Sequence, residues 1–300
     1  MPKLCYPGYP GRRGALIAAL MIAFFATDGA HHAAAAAGPR WHRDYYEAVT
    51  AAKKQKKMLL IFARATGNSA SRDAFRSKTL RAPTVAKSLR RFVLAELPLD
   101  VRIKSENRQI ALFEDDSFEP LEGRQGLVII DYAHRDLPQF GCVVSAIPFP
   151  LKGALDERTT SIILNLPPGT ITQRTLIYAV RIHDEKPAST SGELHVALRT
   201  AVEKHSQHQA DIESQGHHNW GTRFHRISAR LPMGMSTTEI CAESWPNQGL
   251  VAAAIDCVHS WRQSSGHWGA VSSRHTLYAY DMKQGSNGVW YATGIFANRR

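Results

Sequence analysis

Apolar positions along the first half recur with two periods. Trp41, Tyr45, Ala48, Val49 and Ala52 follow helical spacing and predict an amphipathic helix. Residues 58–63 form an unbroken apolar run, which suits a strand buried on both faces. Helices are expected over residues 69–80 and 82–89, the second with Pro83 in its first turn, where a missing N–H costs little. Residues 92–97 predict a strand, residues 110–113 a short helix, and residues 126–131 and 141–144 two further strands. Strands alternating with helices imply a layered α/β sheet.

Residues 151–168 read as a joining segment holding one strand, residues 161–166. Pro167-Pro168-Gly169 then breaks the chain. Beyond it, Thr170 or Thr172 can cap a helix that turns Leu176, Ala179, Val180 and His183 inward. Leu194, Leu198, Ala201, Val202, His205 and Ile212 stripe a long helix ending at Gly216, with His205 as a hydrogen-bonded core histidine. A strand follows the Pro232–Gly234 loop and runs through Ile240 and Ala242. Leu250, Ala254, Cys257, Val258 and Trp261 stripe the next helix, which is expected to stop at Ser264-Ser265-Gly266 with the glycine as a left-handed cap. Tyr278–Tyr280 and residues 288–296 predict an antiparallel pair around the turn at 284–287. Three helices around a short antiparallel sheet make an α-β-α sandwich.

Charge adds one broad property. The chain of 300 residues carries a formal net charge of +11. Such a balance favours anionic surfaces, including an anionic cell-envelope surface, or is simply a solvated exterior. No dense Lys/Arg block interleaved with aromatics is present, so nucleic acid is not an expected partner. The run Lys53-Lys54-Gln55-Lys56-Lys57 reads as an exposed helix end. Residues 1–37 read as an export signal: Arg12-Arg13, an apolar stretch from Ala15 to Ala26 too short to span a bilayer comfortably, then small residues suited to cleavage. A secreted or periplasmic protein is expected, without a transmembrane helix once the signal is removed; an uncleaved anchor is the competing reading. Cys5 should leave with the leader, and Cys142, Cys241 and Cys257 would remain.

Chemistry concentrates in the second half, which holds ten of the fourteen histidines. Glu243 closes one strand and His267 follows the Trp261 helix, so a strand end and a helix end can meet. Trp261-Arg262-Gln263-Ser264-Ser265-Gly266-His267 resembles the Trp-x-x-Ser-Pro-Gly-His segment of the CAP superfamily, the secreted cysteine-rich, antigen 5 and pathogenesis-related-1 proteins. Ala242-Glu243-Ser244-Trp245 stands where that family has a Gly-Glu-Asn-Ile-like segment. Gly216-His217-His218-Asn219-Trp220 stands where it has an upstream histidine. Trp290 to Phe296 is similar to its final aromatic strand. The resemblance covers about the last 130 residues and implies an α-β-α sandwich with a cavity formed by His217, Glu243 and His267, with Ser264 nearby and His218 as a substitute for His217.

Two histidines and a carboxylate can hold zinc or another divalent metal with an open position, but no His-Glu-x-x-His spacing is present. A polar cavity floor is the competing reading. In an oxidising compartment Cys241 and Cys257 are expected to pair; the alternative is two small buried thiols. A Ser264/His267/Glu243 trio names a serine-type hydrolase, which only geometry can establish. The second glutamate that many CAP proteins carry after the helix tryptophan is missing, since Ser264 occupies that place. The resemblance implies binding of a lipid-like or small-molecule ligand, expected here ahead of catalysis. A metal-dependent or serine-type hydrolase and an envelope scaffold with a vestigial cavity are the alternatives.

The order of elements in the first half resembles a thioredoxin-like domain. Its redox motif is replaced by Thr66-Gly67-Asn68-Ser69-Ala70-Ser71, and Arg124-Gln125-Gly126 stands where the family has a cis-proline. The expected organisation is a signal peptide at 1–37, a redox-inactive thioredoxin-like domain at 38–150, a linker at 151–169 and a CAP domain at 170–300.

Overall fold

The computed structural model describes residues 3–4, 40–105 and 108–299. The chain is α/β. Its first part comprises β1 (Lys3–Leu4), β2 (Trp41–His42), α1 (Tyr45–Gln55), β3 (Met58–Arg64), α2 (Ala70–Ser77), α3 (Pro83–Leu89), β4 (Phe92–Pro98), a hairpin of β5 (Arg102–Ser105) and β6 (Arg108–Ala111), β7 (Gly126–Ile130) and β8 (Cys142–Pro148). Then come α4 (Glu157–Leu164), α5 (Ile171–Ile182), β9 (Glu193–Leu194), α6 (Val196–Asp211), α7 (Trp220–Ser228), β10 (Met235–Glu243), α8 (Leu250–Arg262), α9 (Ser265–Ser272), β11 (Leu277–Gln284) and β12 (Trp290–Arg299).

The first sheet has the order β1-β8-β7-β3-β4-β2. Strands β2, β4 and β3 run parallel, β7 is antiparallel to β3, and β8 is antiparallel to β7. The apolar run of β3 is buried from Leu59 to Ala63, as a central strand covered on both faces requires. Lys3–Leu4 adds to the edge beside Cys142–Val143. The rest of the expected leader, with Cys5, lies outside the described residues. Among the described residues no helix is long and apolar enough to cross a membrane.

Ser69 caps α2 by accepting from the Arg72 N–H. The Gln125 amide donates to Ser69 Oγ at 3.2 Å and to Ser71 Oγ at 2.6 Å.

The second sheet has the order β10-β12-β11-β9. Its strands alternate in burial partner. Ile240, Ala242, Tyr280, Met282 and Phe296 join the large core with Ala254, Cys257 and Trp261 of α8. Ala279, Ile295 and Ala297 face the other way, against Leu198 and Val202 of α6 and Ile227 of α7. The sheet is thus sandwiched, and burying each large apolar side chain stabilises it by roughly 1.5–3 kcal/mol. α5 touches both β8 and β11 and so joins the two sheets. Arg174 of α5 is fully buried there, donating to Ser145 Oγ at 2.9 Å and to the carbonyls of Leu166 and Pro167 at 2.9 and 2.8 Å. Burial pushes its guanidinium down to about 10.

Three local expectations are corrected. Residues 161–166 are not a strand; α4 occupies 157–164, capped by the Asp156 carboxylate accepting from the Thr159 N–H at 2.7 Å. A six-residue apolar run is ambiguous by period, and the cap resolves it toward helix. Residues 110–113 divide between β6 and a 3-10 turn at Leu112–Glu114. Gly266 does not cap α8 in a left-handed conformation. Ser264 is instead the N-cap residue of α9, and Gly266 and His267 lie in that helix's first turn.

Candidate functional site

Strand β10 decides which carboxylate enters the site. Thr237, Glu239 and Cys241 alternate with Ile240 and Ala242. Because the apolar even positions pack with α8, the odd positions face α6 and α7. Glu239, at 1% side-chain exposure, is thereby placed under the loop that joins those two helices.

That loop is held from α6. The Gly216 N–H donates to Gln209 Oε1 at 3.0 Å, and the Gly216 carbonyl accepts from His205 Nε2 at 2.8 Å. Gln209 is itself anchored, its amide donating to Thr293 Oγ1 of β12 at 2.9 Å. With Gly216 gripped on both sides, His217 is set over Glu239, its Nδ1 3.0 Å from Oε1. Asn219, at φ +54°, turns the chain into α7. From α7, Arg223 forks onto Glu239, donating to both carboxylate oxygens and, through Nε, to the His218 carbonyl at 2.9 Å. Bidentate guanidinium–carboxylate pairs are strong and directional.

Electrostatics follow from this geometry. Burial opposes ionisation of Glu239, but hydrogen bonds from His217 and Arg223 outweigh it and hold the carboxyl below its ordinary range. His205 is driven down to about 4 by burial. Its Nε2 carries the proton given to Gly216, and its Nδ1 is buried without a hydrogen-bond partner among the described residues. A carboxylate partner calls for a proton on His217 Nδ1, and the ring is half-exposed. His267 lies beside it, ring centroids 6.0 Å apart, and is pushed down by burial and then by the His217 charge.

The expected residues divide. His217 and His267 come together. Glu243 is exposed at the end of β10, opposite Tyr291, and hydrogen-bonds to neither histidine; Glu239, four residues earlier, takes that place. His218 turns to the Ser214 carbonyl at 3.1 Å and clusters with His205 and His208. Ser264, as the N-cap residue of α9, makes no side-chain cap bond and no hydrogen bond to His267 among the described residues. Glu239 and Arg223 were missed. The alternation of β10 carried the signal for Glu239, because the apolar Ile240 and Ala242 must face the core. Arg223 had none, since its partner lies sixteen residues away across a loop.

Cys241 and Cys257 do not form the expected disulfide; both are free and buried. They lie on opposite sides of the sheet, Cys241 on the His217 face with Sγ 3.8 Å from its Nδ1, Cys257 in the core beneath α8. Burial pushes both thiols up.

His205, Glu239 and Cys241 present ligand atoms within 4.8 Å of one another. The chemistry does not fit a cation. The His205 nitrogen facing Glu239 donates its proton to Gly216, and Arg223 already neutralises the carboxylate.

Beside this network a cavity of about 310 Å³ opens between α6 and α7. Its walls include Ala197, Ala201 and Ile227, its charged residues include Lys204, Arg226 and Arg230, and His205, His218 and Arg223 also line it.

No family model matches the chain, and no curated protein matches it. Among solved structures, an outer surface protein from Borrelia burgdorferi is similar over 36% of this chain and 78% of its own, at 16% identity and a TM-score of 0.30, a likeness too slight to carry an argument.

Proposed function

We propose that this is an exported ligand-binding protein, built from a redox-inactive thioredoxin-like module and a CAP-like module whose α6–α7 groove takes an anionic amphiphile. The order β2-β4-β3-β7-β8, three parallel strands followed by two antiparallel ones, supports the first module. The sandwich of α6 and α7 against α5 and α8, with His217 set on buried Glu239 and His267 beside His217, supports the second.

One observation carries the ligand class. The groove joins an apolar wall at Ala197, Ala201 and Ile227 to Lys204, Arg226 and Arg230, none of which is paired with a carboxylate among the described residues. Such a groove favours an apolar tail and an anionic head. A hydrolase reading lacks an accessible nucleophile among the described residues: Ser264 makes no hydrogen bond to His267, and the Cys241 thiol beside His217 is buried.

Calorimetric titration with oleate tests the reading. Saturable binding is expected, weakened about tenfold or more in an Arg226→Glu/Arg230→Glu variant, both positions being exposed. Tenfold corresponds to about 1.4 kcal/mol. No saturable binding, or binding indifferent to the variant, sinks the proposal.

A further inference from the structure

A second cavity, of about 570 Å³, lies in the other sheet, remote in sequence from His217 and His267. Its lining comes from Trp41 on β2, Arg43 just after it, Asp73 and Arg76 on α2, Arg81 in the 3-10 turn that follows, and Glu96 on β4. Glu96 is an anomaly of β4, a carboxylate at 3% exposure inside an otherwise apolar strand. Three guanidiniums approach its Oε1 as ion pairs, none of them in hydrogen-bond geometry: Arg43 at 3.2 Å, Arg64 at 3.4 Å and Arg76 at 3.4 Å. A buried carboxylate needs one cation to offset its charge. The other two are surplus, and the guanidiniums of Arg43 and Arg76 are each about half exposed at the cavity. Arg81 adds a further cation with no carboxylate partner among the described residues. The other acid of the lining, Asp73, is already paired with Arg72 at 2.9 Å.

From this we infer that the cavity is a binding site for a small organic phosphate monoester. Glu96 acts as the buried post that holds two guanidinium forks toward the opening. A fork matches a phosphate's oxygens in pairs, and the surplus charge matches a dianion better than a monoanion. Trp41 is half-buried and, with Leu80 and Leu89, supplies an apolar wall for the organic part. The volume lies in the range of small-molecule sites.

The test uses the full chain, with phenyl phosphate and inorganic phosphate as probes in calorimetric titration. Phenyl phosphate should bind saturably and at least fivefold tighter than inorganic phosphate, and Trp41→Ala should erase that preference. Arg43→Gln/Arg76→Gln should reduce binding tenfold or more. Because that double variant disturbs the partners of Glu96, Arg81→Gln serves beside it; it removes a cavity cation and leaves the Glu96 cluster intact, and a threefold or greater loss is expected. Arg135→Gln, at an exposed cation outside both cavities, should change nothing. Absence of saturable binding, equal affinity for the two probes, or binding untouched by Arg81→Gln overturns the inference.

Discussion

His217 Nδ1 lies 3.0 Å from Oε1 of Glu239, a carboxylate that Arg223 also grips with two hydrogen bonds. The buried acid therefore orients an imidazole at the surface while a guanidinium holds the acid in place. Removing the guanidinium should be costly, because a buried carboxylate then loses its one permanent cation among the described residues. Arg223→Met is expected to destabilise the fold by about 3 kcal/mol or more. The Arg223→Met/Glu239→Gln double variant should recover part of that loss. Urea denaturation of the two single variants and the double variant measures the coupling, and strictly additive losses would show that the pair does not act as a unit.

Acid should weaken the fold through His205. Its folded value, about 4, lies below the ordinary 6.5. Between those values the unfolded chain binds a proton that the folded chain refuses, so stability falls as pH drops from about 6.5 to about 4. The full contribution is about 3 kcal/mol, present above pH 6.5 and lost by pH 4. His205→Gln should flatten this part of the profile of urea midpoint against pH. Glu239, held below its ordinary range, adds a loss of the same sign at lower pH. An unchanged slope in His205→Gln between pH 6.5 and 4 contradicts the assignment.

Cys241 and Cys257 should behave as two inert thiols. Both are buried, and burial keeps them protonated. With no reductant present, a maleimide should label both sites in denaturant and neither in the native protein over the same time. Peptide mapping that recovers a Cys241–Cys257 crosslink would refute this.

Gly294 marks the tightest point of the second sheet. A methyl group built there would lie 2.7 Å from Tyr280 Cε1 and 2.9 Å from Ile240 Cγ1. Both neighbours are fully buried, so neither can swing away. Gly294→Ala should cost roughly 1–3 kcal/mol by overpacking. A melting temperature equal to or above that of the wild type would show that the core yields there.

The primary sequence by itself determined the elements whose information is local. The apolar run of β3, Pro83 at the start of α3, the Thr170 cap with Gln173 behind it, and the β11–β12 hairpin each follow from residues within a few positions of one another. It also marked His217 and His267, through the resemblance of residues 216–220 and 261–267 to the CAP pattern. Tertiary structure alone decided the rest. Glu243 and Glu239 share a strand face by period, and only the depth of β10 under the α6–α7 loop buries one and exposes the other. Cys241 and Cys257 sit at a plausible spacing for a crosslink, yet the sheet runs between them. The partners of Glu96 come from three separate segments, and those of Glu239 from helix ends around a loop. A charge pair carries no period along the chain, so its partner appears only once packing has brought the elements together.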